Sequence, residues 1–137
     1  MTMPVGDRIA AAARELIGTP FRLHGRSGVT GVDCVGLALL SARAAGLDVA
    51  EPPPYRLRAG AAPVMHGWMV GAGFVPVTDR APGDILLVRV SALQPHIVID
   101  APDGVIHAHA GLGRVVLMPM PGDWSELSRW RFHGVKG

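Results

Sequence analysis

Apolar residues recur at helical spacing near the start of the chain. Over residues 7–17 these are Ile9, Ala12, Ala13 and Leu16, and Gly18, Thr19 and Pro20 end the run. Residues 22–31 are rich in Gly, Arg and Ser and read as a loop. Asp33 then stands where an N-cap belongs, residues 35–45 form a strongly apolar second helix, and Gly46 is its stop. Pro52, Pro53 and Pro54 mark an extended connection, and a short helix fits residues 63–70. The pattern then changes to short apolar runs at 74–77, 84–90, 96–100, 105–110 and 114–118, read as strands. Turn residues separate several of them: Ala81-Pro82-Gly83, Pro102-Asp103-Gly104 and Gly111-Leu112-Gly113. A final strand is expected over 130–135, after a short helix. Helices first and an antiparallel sheet second is the α+β arrangement.

Length and composition add bounds. The chain has 137 residues, which predicts a single domain over residues 1–137. Hydrophobic residues make up 49 %, enough for a core without disulfide or metal staples. The net charge of +2 comes with no Lys/Arg run, so nucleic acid is not an expected partner. No basic start followed by an apolar run precedes Arg8, so no signal peptide is expected, and no apolar stretch is long enough to span a bilayer. The single cysteine allows no internal disulfide.

That cysteine, Cys34, follows Asp33 directly in Gly31-Val32-Asp33-Cys34-Val35-Gly36-Leu37. A helix N-terminus presents unpaired N–H groups and the positive end of the helix dipole. Both favour a thiolate, and both suit the oxyanion of a tetrahedral intermediate. Gly36 admits close approach of a helix or a substrate backbone. The plainer alternative makes Asp33 only a cap and Cys34 only a small core residue.

Three histidines share one sheet face by parity. If the connection between strands 96–100 and 105–110 has an even number of residues, opposed positions have an odd sum. His96, His107 and His109 then lie on one face, and Ile97, Ile99, Ile106 and Ala108 on the other. Two adjacent imidazoles beside a thiol suit nucleophilic catalysis, one taking the proton and the second holding the first. A metal site is the competing reading, since His107 and His109 with His96 or Asp100 have ligand-like spacing. His24, His66 and His133 have no comparable setting and read as structural.

These residues resemble a known family. Gly18-Thr19-Pro20-Phe21, Asp33-Cys34-Val35-Gly36-Leu37, Gly83-Asp84, His96-Ile97-Val98-Ile99 and Ile106-His107-Ala108 occur in the order seen in NlpC/p60 cell-wall peptidases. The likeness runs from about Ile9 to Val135 and is similar to the small versions in phage tails and gene transfer agents. It implies a papain-like fold with the Cys34 helix against the histidine face of the sheet. It also implies Cys34 as nucleophile, His96 as base and acid, and His107 as the orienting residue, with no cofactor or metal. The implied substrate is a peptidoglycan stem peptide, cut between D-glutamate and a diamino acid. The implied partners are tail or baseplate subunits, with cytoplasmic synthesis and action at the cell wall from a particle.

Some positions depart from the family pattern. Phe21 stands where Tyr is frequent, Val35 replaces Ser, and Val98 and Asp100 replace Gly and Tyr, which points to an altered substrate pocket. Asp33, Val35, Phe21 and His109 are the expected supporting residues. The alternatives to an active peptidase are a silent tail or wall-binding protein with the same fold, and a zinc hydrolase.

Overall fold

The computed structural model describes residues 3–56, 61–91 and 94–133. The N-terminal half is helical. Helix α1 spans Val5–Glu15 and buries Ile9, Ala10 and Ala13. Asp7 in its first turn and Arg14 in its last complement the helix dipole. A two-stranded ribbon follows inside the segment expected to be loop. β1 (Arg26–Ser27) pairs antiparallel with β2 (Gly31–Val32). The Ser27 hydroxyl accepts the Val29 and Thr30 N–H groups, which closes the turn between them. Too few residues pair for sequence alternation to reveal the ribbon.

Helix α2 spans Cys34–Ala44 and begins directly after β2. The Asp33 carboxylate accepts the Gly36 N–H at 2.8 Å, so the expected cap is present. Gly46, at φ 98°, ends the segment in the left-handed conformation that glycine adopts without strain. Helix α3, Ala62–Gly71, matches its expected position within two residues.

Six strands form one antiparallel sheet in the order β3-β8-β4-β5-β6-β7. They are β3 (Phe74–Pro76), β4 (Ile85–Ser91), β5 (Gln94–Ala101), β6 (Gly104–His109), β7 (Arg114–Met118) and β8 (Ser125–Phe132). β8 departs from expectation. It starts at Ser125 with no preceding helix, because its first residues, Ser125 and Glu126, pair with Arg89 and Val88 of β4. Residues 134–137, which include the expected end at Val135, lie outside the described residues.

The β5–β6 connection is the two-residue Pro102-Asp103 turn, with Ala101 opposite Gly104 and Ile99 opposite Ile106. The odd-sum register inferred from the sequence is therefore present. It sorts the sheet into two faces. Ile97, Ile99, Ala101, Ile106 and Ala108 join the α1 and α2 residues Ile9, Ala13, Leu37 and Ala38 in one apolar cluster. Leu86, Val88, Val98 and Val105 form a second cluster, flanked by Val90, Met118 and Trp124. The helices thus cover the isoleucine face. This corrects the expectation that the Cys34 helix lies against the histidine face. The reason is hydrophobic: α2 is apolar nearly all round and packs where the larger continuous apolar surface is offered.

Towards the other end of β4 and β5, the second face carries charges. Arg129 is 8 % exposed and donates to Asp84 at 2.9 Å and Asp100 at 2.8 Å. Arg131 also donates to Asp84, and Arg80 to Asp100, so each buried carboxylate holds two guanidinium partners.

Candidate active site

Cys34 is carried to the sheet by the tip of α2. The N–H groups of Ile97, Val35 and Cys34 itself face its sulfur. The thiol therefore meets β5 one residue from His96. Gly36 is required by the fold at this point: a Cβ there would sit 2.1 Å from the Gly25 carbonyl oxygen. The close approach is to the β1 loop.

Burial dominates the chemistry of the thiol. Cys34 is 1 % exposed, and desolvation pushes its pKa up to about 12. The neighbouring Asp33 carboxylate adds to the rise, and the three N–H groups oppose it without prevailing. The sequence expectation of a thiolate stabilised by the helix N-terminus is thereby corrected: the resting group is a neutral thiol.

The β5–β6 ladder extends only to Ile99 and Ile106, and the histidines lie beyond its end. His96 Nε2 lies 3.0 Å from His107 Nδ1. His107 Nε2 in turn lies 3.0 Å from Met118 Sδ on β7. Trp124 packs near-perpendicular to both rings, with centroids 5.8 Å from His96 and 5.2 Å from His107. Burial, and then His107 and His109, lower His96 to about 3; burial, and then His109, lower His107 to about 4. Both imidazoles are neutral at neutral pH. Among the described residues no hydrogen bond links the thiol to either ring.

His109 has a different task. Its Nδ1 accepts the Leu112 N–H at 3.1 Å and closes the β6–β7 turn. Its ring lies 5.2 Å from that of His107. A cavity of 190 Å³ opens beside the three histidines, walled also by Phe21, Val90, Ala108, Ala110, Gly111 and Trp124. Among the described residues no three His, Cys, Asp or Glu side chains are arranged to hold a metal ion.

These features can be set beside known structures. The chain matches NlpC2 from Trichomonas vaginalis with a TM-score of 0.73 at 16 % identity, over 96 % of this chain and 48 % of that one. NlpC1 from the same organism matches with a TM-score of 0.68 at 17 % identity, over 96 % and 45 %. The NlpC/p60 domain of the peptidoglycan hydrolase SagA matches with a TM-score of 0.57 at 24 % identity, over 83 % and 88 %. The chain has the NlpC/p60 fold. It spans about half the length of the two Trichomonas proteins. No family model matches the sequence, and neither does any curated protein.

Within this NlpC/p60 fold the supporting residues divide. Phe21 and His109 line the cavity. Val35 does not: it is fully buried in the helical core, because the first turn of α2 points it inward. Val98 packs in the second apolar cluster, and Asp100 is held by Arg80 and Arg129. Neither alters the cavity, since β5 carries both beyond it.

Asp33 does more than cap. It accepts from the His24 backbone N–H at 2.9 Å, from Arg26 at 3.2 Å and from the Tyr55 hydroxyl. Arg26 also donates to Tyr55 at 2.9 Å and to Glu51 at 3.0 Å. No motif or spacing marks Arg26, Glu51, Tyr55, Met118 or Trp124 as site residues. Arg26 lies on the short β1, Glu51, Tyr55 and Trp124 in loops and Met118 on β7, and only folding assembles them.

Proposed function

We propose that this chain is a cysteine peptidase that hydrolyses an amide bond of the peptidoglycan stem peptide. The observation that carries the reading is the His96–His107 contact, one residue along β5 from Ile97, whose N–H faces the Cys34 sulfur. With His96 Nε2 engaged by His107, Nδ1 is the nitrogen left to act as base. It takes the thiol proton as Cys34 Sγ attacks the substrate carbonyl. The C–N bond then breaks, and the imidazolium returns the proton to the leaving amine. Water, deprotonated by His96, releases the acyl group from sulfur. His107 holds the base by its second nitrogen, and the N–H groups at the α2 start serve the oxyanion. Thiol and imidazole are both neutral at rest, so the proton moves during attack and not before it.

The bond between D-glutamate and a diamino acid is the proposed target, on the strength of the sequence resemblance. Delivery as a component of a phage-like tail or baseplate is proposed on the same ground. The test is incubation with purified muropeptides and mass analysis of the products. Loss of all cleavage in Cys34→Ala is the expected control, and full cleavage in that variant would overturn the reading. Mass spectrometry of purified particles should find the chain; its presence only as free cytoplasmic protein would count against tail delivery.

One observation favours a catalytically silent wall-binding protein with this fold. Cys34 is 1 % exposed with its thiol raised to about 12, as a plain core cysteine would be. Iodoacetamide separates the two. Modification of Cys34 that parallels loss of cleavage supports the enzyme, and an inert thiol with no cleavage supports the silent protein.

A further inference from the structure

We infer that Met118 is a positioning residue that fixes the tautomers of both site histidines and so leaves the basic nitrogen of His96 open. The inference rests on the reading of His96 as the base. Met118 stands opposite Val105 on the adjacent strand, two residues along β6 from His107, so both side chains share the second face. Its Sδ lies 3.0 Å from His107 Nε2. His107 is 2 % exposed, and Met118 packs against the apolar cluster that includes Val98 and Val105.

The chemistry of a thioether is one-sided: it accepts a hydrogen bond and has no proton to donate. His107 Nε2 therefore carries the proton, and its Nδ1 is a lone pair. That lone pair faces His96 Nε2 at 3.0 Å, so His96 Nε2 carries the proton there. His96 Nδ1 is then unprotonated, the state a base requires. In the reverse tautomer chain, His107 Nδ1–H would donate to His96 Nε2 and His96 Nδ1 would hold the proton. A neutral imidazole in that form cannot accept a proton from a thiol at Nδ1. The reverse chain would also turn a nitrogen lone pair towards the sulfur lone pairs. Trp124, near-perpendicular to both rings, offers no lone pair in place of the sulfur.

The experiment uses the full chain with ¹⁵N-labelled histidine. Two-bond ¹H–¹⁵N correlations report the tautomer of each ring without substrate. In the unmodified protein His96 and His107 should both be Nε2–H. In Met118→Leu, similar in size but without an acceptor, His107 should show a mixture of tautomers. Its kcat on one muropeptide should fall roughly fivefold with KM unchanged, the scale of one lost hydrogen bond. Met118→Gln, whose amide oxygen accepts, should restore the single tautomer and most of the rate. A Nδ1–H signal for either ring in the unmodified protein would overturn the inference. So would Met118→Leu with unchanged tautomers and unchanged kcat. Should a variant fail to fold, the spectrum of the unmodified protein still decides. Cleavage by Cys34→Ala would instead overturn the peptidase reading, leaving the tautomer result to stand on its own.

Discussion

His96 and His107 are 11 residues apart in sequence and 3.0 Å apart through their ring nitrogens, yet they are not opposed in the strand register. The register that pairs Ile99 with Ile106 would set His107 across from Val98, so the two rings meet diagonally. The diagonal contact is reached because the ladder has already ended at Ile99 and Ile106, and the cavity beside the rings occupies that end of the sheet. A two-residue turn, a short ladder, a half-buried imidazole and a buried one together make the pair.

The three histidines should separate cleanly on substitution. His96→Ala removes the base and should lower kcat by about 10²- to 10⁴-fold. His107→Ala should be strongly impaired, with part of the rate restored in His107→Asn or His107→Gln, which can accept the His96 N–H. His109→Ala should keep near-normal turnover and lose about 1 kcal/mol of stability with its hydrogen bond to Leu112 N–H. Turnover on one muropeptide, after circular dichroism confirms folding, checks all three. A crippled His109→Ala beside a normal His107→Ala would make His109 the orienting residue.

The neutral thiol and neutral imidazole predict the shape of the pH profile. His96 is lowered to about 3 and Cys34 raised to about 12, so neither group changes charge near neutrality. The acid limb of kcat/KM should therefore lie well below the ordinary histidine value, and the profile should be flat from about pH 5 to pH 9. A bell with both limbs inside that range would show a preformed thiolate–imidazolium pair instead.

Asp33 should prove a stability residue of unusual weight for a helix cap. Asp33→Ala removes the cap and leaves the half-buried Arg26 and Tyr55 groups without their shared acceptor, at a combined cost of about 2–4 kcal/mol. Asp33→Asn retains an oxygen for Gly36 N–H and should cost less. Urea unfolding of both variants checks the order, and equal losses would mean that the cap alone matters.

Acid should destabilise the fold in two stages. The pKa of His96 is depressed in the folded state from 6.5 to about 3. The unfolded chain thus binds its proton first, and the contribution is full above pH 6.5 and is lost as pH falls towards 3. Burial opposes ionisation of Asp84, but hydrogen bonds from Arg131, Arg129 and the Ala81 N–H outweigh it and hold the carboxyl below its ordinary value. Its contribution is full above that value and is lost only at lower pH. The melting temperature of His96→Ala should therefore vary less between pH 6.5 and pH 4 than that of the unmodified protein. Asp84→Asn should leave that slope unchanged and remove the steeper fall below it. Parallel curves for all three proteins would contradict both assignments.

Much was legible in the sequence because it depends on near neighbours. The start of α2 followed from Asp33 beside an apolar run, since a cap acts across three residues. The common face of His96, His107 and His109 follows from parity across an even-numbered turn, which the structure shows to be two residues long. The final strand was misplaced at its start because Ser125 and Glu126 are polar and become strand only by pairing with β4. The face that α2 covers, the sulfur behind His107 and the ring of Trp124 over the pair were decided by tertiary structure alone. So were the protonation states: the sequence places Cys34 at a helix N-terminus, which favours thiolate, but burial raises it to about 12. The dipole is a property of the local backbone, whereas desolvation is set by the distant residues that exclude water, and here desolvation is the larger effect.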